Sequence, residues 1–244
     1  MKIVVCVKAV PDASAGRKLD PSSKRLVRSG ELTLSDFDSY AVEEALQIGG
    51  ETVVLSMGPE RALDALRKAL AMGADRAVLV SDEALAGSDL LGTASALAEA
   101  IAKEEPDLVL FGQQSADGGG ACIWAAVAEK MRRPAISQVS ELSVDDGTIT
   151  GKRQTEFGYD TIRAPLPAIV AVSDAINTPR YPSLKGIMGA KKKPQETVSA
   201  SAVASGTTVL ELSPPPARGD SVKIEDDGSA AEKIVEFLAE KRLV

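Results

Sequence analysis

The chain has 244 residues, a formal net charge of -7 and a hydrophobic content of 44%. These values suit one large α/β domain, or a domain with an appendage. The negative charge argues against general nucleic-acid binding, which needs a broad positive field. Histidine is absent, which removes histidine-based acid–base catalysis, nucleophile activation and metal ligation. A binding or cofactor-holding role therefore gains weight over self-contained hydrolytic chemistry.

Cysteine usage and the position of the first strand predict the compartment. Cys6 and Cys122 stand in apolar contexts without metal-ligand spacing, which fits a reducing cytoplasm better than a disulfide scaffold. The first strand begins at Lys2 and leaves no room for a signal peptide. No run approaches the roughly 18 apolar residues of a membrane span. We therefore expect a cytoplasmic protein that does not insert into a membrane.

Strands and helices alternate along the first half of the chain. Predicted strands cover residues 2–10, 51–58 and 75–82 and begin the segment 106–120. Predicted helices cover residues 35–50, 58–75, 88–105 and 121–131. The polar segment 12–30 reads as a long loop or a weak hairpin. This alternation indicates an α/β fold with an open, mostly parallel sheet and right-handed crossovers.

The pattern changes after Pro134. Several strands follow without intervening helices, and Asp146-Gly147 is a strong hairpin signal, so we expect added antiparallel strands. Residues 194–219 are rich in Ser, Thr, Ala and Pro and predict an extended arm. The arm leads to an amphipathic helix that includes Phe237, whose apolar face has to be buried on this domain or on a partner. We therefore expect a domain at 1–193 and an arm with a helix at 194–244.

Four segments should meet at the carboxyl ends of the parallel strands, where open α/β sheets bind ligands. They are residues 6–11, 35–38, 56–59 and 112–123. In the last of them a glycine-rich turn runs into a helix start, and this arrangement offers free N–H groups and a positive dipole end to an anion. Ile123 stands where a dinucleotide fingerprint would have its third glycine, and no Walker lysine is present. A bare loop without a ligand is about as consistent with the pattern as an anion site.

Other polar and aromatic positions have structural explanations. Phe37 either packs on its own domain or stacks on a flat cofactor ring. Glu43 and Glu44 are expected on the solvated face of a helix. Glu156, Asp160 and Arg163 are expected as surface charge on a half-exposed hairpin, and Lys191–Lys193 as a solvated patch. Paired carboxylates for glycoside chemistry receive no support, because nothing sets their separation.

Three stretches together resemble one family. They are "LRKALAMGADRAVLV", "KRQTEFGYDTIRAPLPAIVAV" and "INTPRYPSLKGIMGAKKKP", and "SDFDSYAVEEAL" supports them. In order and spacing they are similar to the beta (small) subunit of electron transfer flavoprotein, from Lys2 to the last helix. The resemblance implies a Rossmann-like domain related to the adenine nucleotide alpha hydrolases.

The resemblance also implies a role and its partners. Members pair with a larger alpha subunit, which holds most of the contacts to FAD. The heterodimer carries electrons from flavin dehydrogenases to an acceptor, often a membrane quinone oxidoreductase. The chain is then an electron-carrier subunit rather than an enzyme, because the flavin performs the redox chemistry.

By matched position, the resemblance implies two groups of site residues. The AMP site would comprise Cys6, Ser35, Asp36, Phe37, Asp38, Met57, Gly112, Gln113, Gln114, Ser115, Asp117, Gly118, Gly119, Gly120, Ala121, Cys122 and Ile123. The partner-binding residues would be Tyr181, Leu184, Ile187, Met188 and Asp160. Among these, Phe37 matches an aromatic near the alpha-subunit flavin, and Asp160 lies near an acidic position that serves the alpha subunit.

One stretch departs from the family pattern. Family members usually begin the phosphate-binding helix with hydroxyl or amide side chains and then a small residue, whereas this chain reads Ala121-Cys122-Ile123-Trp124. Backbone N–H groups remain available to a phosphate, but side-chain donors are lost and a tryptophan adds bulk. AMP, the second FAD of electron-bifurcating members, or no ligand are therefore all retained as alternatives for this site.

Residues 178–194 match the recognition loop of the family. The resemblance makes Leu184 the anchor that enters a hydrophobic pocket of the dehydrogenase. Pro179 and Pro182 are expected to stiffen the segment and limit the entropy lost on docking. Ile187 and Met188 are expected to pack the next turn back onto the domain, while the lysines steer an acidic partner.

Two other classes of protein remain as alternatives. A nucleotide-binding enzyme such as an ATP-dependent ligase would need a phosphate loop with Gly and Ser or Lys donors, and "DGGGACIW" is a poor one. A nucleotide-sensing stress protein would form a homodimer. The long arm and final helix suit wrapping around a different subunit instead.

Overall fold

Thirteen strands and six α-helices occur within the residues that the computed structural model describes, which are 1–12, 16–213, 216 and 221–244. The strands are β1 (Lys2–Cys6), β2 (Ala9–Pro11), β3 (Leu19–Asp20), β4 (Arg25–Leu26), β5 (Leu32–Leu34), β6 (Glu51–Met57), β7 (Arg76–Val80), β8 (Leu108–Gly112), β9 (Ala135–Asp145), β10 (Thr148–Thr155), β11 (Gly158–Pro165), β12 (Ala168–Val172) and β13 (Gln195–Val198). The helices are α1 (Asp36–Ile48), α2 (Leu63–Met72), α3 (Leu90–Glu104), α4 (Ile123–Met131), α5 (Leu184–Ala190) and α6 (Ala230–Glu240).

A mostly parallel sheet forms the centre of the fold. Within the described residues it has nine strands in the order β11-β10-β9-β12-β8-β1-β6-β7-β13. In this spatial order, the neighbouring strands from β9 through β12, β8, β1, β6 and β7 to β13 pair in parallel. The pairs β11–β10 and β10–β9 are antiparallel. The predicted α/β, Rossmann-like class with added antiparallel strands is therefore confirmed.

The turn between β9 and β10 shows why that part of the sheet is antiparallel. Asp146 and Gly147 have φ values of 43° and 71°, the left-handed conformation at both central positions that a type I′ hairpin needs. Short-range turn chemistry thus brings β9 and β10 together, as the sequence predicts.

Helices cover both faces of the sheet. On one face α1 and α2 pack with buried residues such as Val54 and Leu70. On the opposite face α3 and α4 pack with residues such as Val4 and Ile101. Because β1, β8 and β12 are covered on both sides, their sequences are nearly continuous apolar runs rather than alternating ones.

The segment 12–30, predicted as a loop or weak hairpin, contains the small β3–β4 hairpin, while residues 13–15 lie outside the described part. Strand β2 pairs with β5 in another small sheet. These pieces follow β1 and place the basic residues Lys8 and Arg28 close to its carboxyl end, where they contact the glycine-rich loop.

The predicted arm begins with ordered structure. Residues 195–198 form β13, which pairs in parallel with β7 and covers that edge of the sheet. Asp89, the residue before α3, then accepts hydrogen bonds from the N–H groups of Gly206 and Thr207 at 2.7 and 3.1 Å. The first compact unit accordingly extends over Met1–Val209, past the boundary expected at residue 193.

A smaller unit, Leu210–Val244, contains α6; residues 214, 215 and 217–220 of the predicted arm lie outside the described part. None of the residues of α6 is buried. Ile234 and Val235 are 47% and 59% exposed. The amphipathic helix that the sequence predicts is therefore present with its apolar face open.

Candidate functional site

The candidate nucleotide site lies where the strand order reverses. From β1 the chain continues to β6 and β7 on one side, and later to β8 and β12 on the other. In open α/β sheets such a switch point leaves a crevice at the carboxyl ends of the strands, where ligands bind. A cavity of about 120 Å³ opens there. A neighbouring cavity of about 850 Å³ shares Lys8, Met57 and Thr93 with it.

The smaller cavity collects part of the predicted nucleotide site. The predicted residues that line it are Cys6, Asp38, Met57, Gly112, Gln114, Ser115, Gly120 and Ile123. The predicted residues that do not line it are Ser35, Asp36, Phe37, Gln113, Asp117, Gly118, Gly119, Ala121 and Cys122. Thr93 and Leu97 of α3 also line it, and sequence reasoning missed them. The position of α3 after β7 could have indicated them, because its first turns lie at the same edge of the sheet.

Asp38 joins the N-terminal turn of α1 to the ends of two strands. It is 6% exposed, and its carboxylate accepts the N–H of Lys8 at 2.7 Å and the N–H of Gly112. A Cβ at Gly112 would lie 2.6 Å from Asp38 Oδ1, so only glycine permits this approach. Burial raises the pKa of Asp38 to about 7, although the two N–H groups and the charge of Lys8 oppose it.

We expect Asp38→Asn to alter the pH dependence of stability. Since the pKa of Asp38 is raised from 3.8 to about 7, the folded state binds its proton more tightly than the unfolded state. Stability from this group is therefore present below the unfolded pKa and falls as pH rises towards 7, by about 4 kcal/mol. Urea unfolding of both proteins across this range should show the variant gaining stability relative to wild type as pH rises. Asp36→Asn, in the same turn but exposed, is the control, and a constant difference for Asp38→Asn would contradict the expectation.

Asp117 holds the glycine-rich loop through ion pairs between its buried carboxylate and two partly exposed cations. Its side chain is 2% exposed, and its Oδ1 accepts a hydrogen bond from Lys8 Nζ at 2.7 Å. Arg28 donates Nε and Nη2 to the other carboxylate oxygen at 3.0 and 2.7 Å. Burial acts to raise the pKa of Asp117, but the hydrogen bonds and charges of Lys8 and Arg28 outweigh it and lower that pKa. The loop is thereby tied to the end of β1 and to the segment before β5.

The loop also closes on itself before α4. Ser115 O accepts the N–H of Gly119 at 2.9 Å, and Ser115 Oγ accepts the N–H of Gly120 at 3.2 Å. Gly119 has a φ of 65°. Ile123 and Trp124 are both partly buried against the core on the side of α3 and α4, and of the two only Ile123 lines the cavity. The tryptophan that departs from the family pattern therefore does not line this cavity.

A second candidate site is the exposed helix α5. Ser183 caps it by accepting the N–H of Gly186 at 3.0 Å. Tyr181 and Leu184 are 96% and 73% exposed, values far above those of core side chains. The segment thus presents large apolar side chains to its surroundings, as a docking surface does.

The expectation that Ile187 and Met188 pack back onto the domain is wrong. They are 52% and 64% exposed, and they share one helix face with Leu184 because their spacing is i+3 and i+4. Ala190 is the residue of α5 that is buried, at 3% exposure. A small side chain makes the contact because α5 approaches α2 closely.

The expectation that Glu43 and Glu44 lie on a solvated face is also wrong. They are 4% and 6% exposed, because the segment that follows β12 crosses α1 and covers them. Glu43 binds Arg180, and this lowers the pKa of Glu43 to about 2. Glu44 accepts the side-chain amide of Asn177, while burial raises its pKa.

The lysine run divides into two roles. Lys193 donates to the carbonyl oxygens of Leu70 and Gly73, each at 3.1 Å, and so satisfies the C-terminal end of α2, where positive charge is favourable. The prediction that Lys193 belongs to a solvated patch is therefore wrong. Lys191 and Lys192 are exposed in agreement with that prediction.

Asp160 lies on the exposed strand β11, opposite Arg153 in the β10 register. The tip of this hairpin carries Phe157, which is 97% exposed. Lys152 stands 4.7 Å from the centre of the Tyr159 ring, a cation–π contact on the outer surface of the hairpin. The predicted half-exposed hairpin is present, separated in the fold from the nucleotide cavity by β9 and β12.

The fold and the cavity at its switch point are typical of proteins that bind nucleotides or nucleotide-containing cofactors. The electron transfer flavoprotein domain family matches residues 24–203. This match, together with the relatives described next, shows that the chain belongs to the electron transfer flavoprotein family. Within the family it belongs to the beta-subunit branch. The family resemblance stated from the sequence is confirmed, and it supports a role in flavin-linked electron transfer.

Full-length relatives make the assignment specific. The chain is 39% identical to the electron transfer flavoprotein subunit beta of Mycobacterium tuberculosis strain H37Rv, over 99% of both chains. It is 35% identical to the electron transfer flavoprotein subunit beta of Megasphaera elsdenii over the whole of both chains. It is 36% identical, again over both whole chains, to the caffeyl-CoA reductase-Etf complex subunit CarD of Acetobacterium woodii.

Two further observations concern membranes and metals. In the described part of the chain no helix has the length and apolar character needed to cross a bilayer. The described cysteines and carboxylates form no group of three or more that could hold a metal ion.

Proposed function

We propose that this chain is the beta subunit of a heterodimeric electron transfer flavoprotein and carries electrons from flavin dehydrogenases to an acceptor. The observation that carries the proposal is the match along nearly the whole chain with proteins named as beta subunits. A beta subunit implies an alpha subunit, and FAD is held mainly by that partner. The chain contributes binding surfaces and orientation, and the flavin supplies the redox chemistry.

The cavity at the switch point is proposed as the AMP site. Ligand pockets usually measure about 300–1,000 Å³, so the 120 Å³ cavity takes one part of the nucleotide and the adjoining space takes the rest. N–H groups at the start of α4 suit the phosphate, since helix N-termini bind anions. The side chains of Ala121 and Cys122 add no strong donor there. A second FAD in the same place is the alternative. The larger neighbouring cavity supports this alternative because it offers additional space beside the smaller one.

Four parts of the surface are proposed as contacts within electron-transfer complexes. The apolar face of α5, led by Leu184, docks the dehydrogenase. The open face of α6, with Ile234 and Val235, packs on the alpha subunit. An amphipathic helix is stabilised mainly when its apolar face is buried against other parts of a structure. Phe37 lies near the flavin of the alpha subunit, and Asp160 faces that subunit.

Composition of the purified protein tests this proposal. The chain should be purified alone and after co-expression with the alpha subunit, and its nucleotides should be extracted and quantified. We expect a stable heterodimer with one FAD, AMP in the complex, and little flavin on the chain alone. Stoichiometric FAD on the isolated chain would remove the alpha subunit as its main site. ATP turnover by the isolated chain, or a homodimer that ignores the alpha subunit, would favour the ligase or stress-protein class instead.

A further inference from the structure

We propose that Arg180 is a positioning residue for electron transfer, because its bidentate contact with Glu43 of α1 fixes the segment from which α5 projects. This inference rests on the proposed docking role of α5. Arg180 itself is not proposed to touch the dehydrogenase.

The contact between Arg180 and Glu43 is bidentate and partly buried. Arg180 Nε lies 2.7 Å from Glu43 Oε2, and Nη2 lies 2.9 Å from Oε1. The backbone N–H of Arg180 also reaches Oε2, at 3.1 Å. The Glu43 side chain is 5% exposed, and Gln47 donates to its Oε1 at 3.0 Å. Such a fork fixes direction as well as distance, which a single lysine contact does not.

A second contact reinforces the same attachment. Asn177 Nδ2 donates to the carbonyl oxygen of Tyr40 at 3.1 Å and to Glu44 Oε2 at 3.0 Å. The segment 177–180 is therefore held along α1 at two neighbouring points, by a side-chain amide and by a guanidinium. Because α1 packs on the sheet and its first turn is bound at Asp38, the attachment is to a rigid part of the fold.

The attachment is close enough to α5 to set its position. Only three residues separate Arg180 from Leu184, and one of them is proline, which has little backbone freedom. On the other side of the helix, a Cβ at Gly186 would overlap the carbonyl oxygen of Ala71 in α2. The helix is thus held from α1 before its first residue and from α2 along its inner face, while its apolar face stays free.

Loss of the contact should affect docking more than the redox step. Without the fork, the segment before α5 samples more conformations, and ordering them on binding lowers affinity. The flavin is proposed to be held mainly by the other subunit, and Phe37, the residue of this chain proposed to lie near it, is not altered by the substitution. The expected signature is a raised KM for the electron-accepting complex with an unchanged kcat.

The test uses heterodimers that carry Arg180→Gln, Arg180→Lys, Leu184→Ala, or Arg180→Gln with Leu184→Ala. A flavin dehydrogenase is assayed with each complex as electron acceptor, after its FAD content and heterodimer size have been checked. We expect Arg180→Gln to raise KM about tenfold with kcat unchanged, and Arg180→Lys to recover part of the loss. In the double variant Arg180→Gln should add little to Leu184→Ala, because both act through the same docked side chain. Lys103→Gln, which removes an exposed ion pair of α3 on the other face of the sheet, is the matched control.

The outcomes separate this inference from the proposed function. A wild-type KM for a fully loaded Arg180→Gln complex would overturn the positioning role, and so would an effect equal in both backgrounds. Loss of FAD or of the heterodimer in step with activity would mean a merely structural role; if Arg180→Gln does not fold, Arg180→Lys and Glu43→Gln carry the same comparison. If Leu184→Ala itself has no effect, the docking role of α5 fails, and with it the basis of this inference.

Discussion

Leu184→Ala is expected to slow electron transfer from the dehydrogenase while the heterodimer and its FAD remain intact. Leu184 is 73% exposed at the start of α5, so its removal leaves no cavity in this chain. If it is buried in a pocket of the partner, truncation at such an interface hot spot costs about 2–4 kcal/mol. That corresponds to a loss of roughly 30- to 1,000-fold in affinity or in kcat/KM.

Steady-state assays with the complex as the varied acceptor measure this effect. Leu91→Ala, at an exposed leucine of α3 with 57% exposure, is the matched control for the loss of surface apolar area. The free energy of unfolding should be nearly unchanged in both variants. Wild-type transfer kinetics for Leu184→Ala would remove this residue as the anchor.

Asp117→Ala is expected to weaken the fold and to empty the nucleotide site. The carboxylate is almost fully buried and joins Lys8, Arg28 and the N–H of Gly118. Removing it leaves two cations without their partner and releases the loop that borders the cavity. The side chains of Lys8 and Arg28 are 39% and 41% exposed and stay hydrated without their partner, so we expect a loss of about 1.5–3 kcal/mol, as for hydrogen bonds to a charged group.

Nucleotide content and urea unfolding check this prediction. The amount of AMP per protein should fall below one tenth of the wild-type amount. That fall corresponds to a loss of about 1.4 kcal/mol or more in the free energy of AMP binding. Asp117→Asn keeps the size of the side chain but not its charge. Its AMP content and unfolding midpoint should lie between those of the wild type and Asp117→Ala. Asp64→Ala, in an exposed pair with Arg67, should change little, since surface ion pairs contribute at most about 1 kcal/mol. Full AMP content with an unchanged unfolding midpoint would show that the ion pairs of Asp117 do not shape the site.

Local patterns in the sequence predict the local parts of this fold. The left-handed turn at Asp146-Gly147 follows from residues that adopt positive φ, and α1 (Asp36–Ile48) lies within the predicted helix 35–50. The switch-point cavity follows from the β-α alternation, because the carboxyl ends of parallel strands meet at one edge.

Long-range contacts are the part that the sequence does not reveal. Glu43 looks like a solvated helix residue until Arg180, 137 positions away, covers it. Asp117 finds its partners 109 and 89 positions away. A polar side chain can be identified as buried only when the segment that covers it is known, and no periodicity within one helix contains that information.

Short polar segments are mispredicted for a related reason. Gln195–Val198 has no strand-like alternation, yet it becomes β13 because the edge of β7 offers unpaired backbone groups.

Ile187 and Met188 have the spacing of core residues and remain exposed, because Gly186 and Ala190 make the contact with the domain.

Reduction of the purified heterodimer by a substrate-reduced flavin dehydrogenase tests whether this chain is the beta subunit of an electron carrier. The complex and the isolated chain should each be mixed anaerobically with the dehydrogenase while the visible flavin absorbance is recorded. We expect the complex to lose the absorbance of oxidised FAD and the isolated chain to show little flavin to reduce. Stoichiometric FAD on the isolated chain, or a loaded complex that no flavin dehydrogenase of the host reduces, would contradict this expectation.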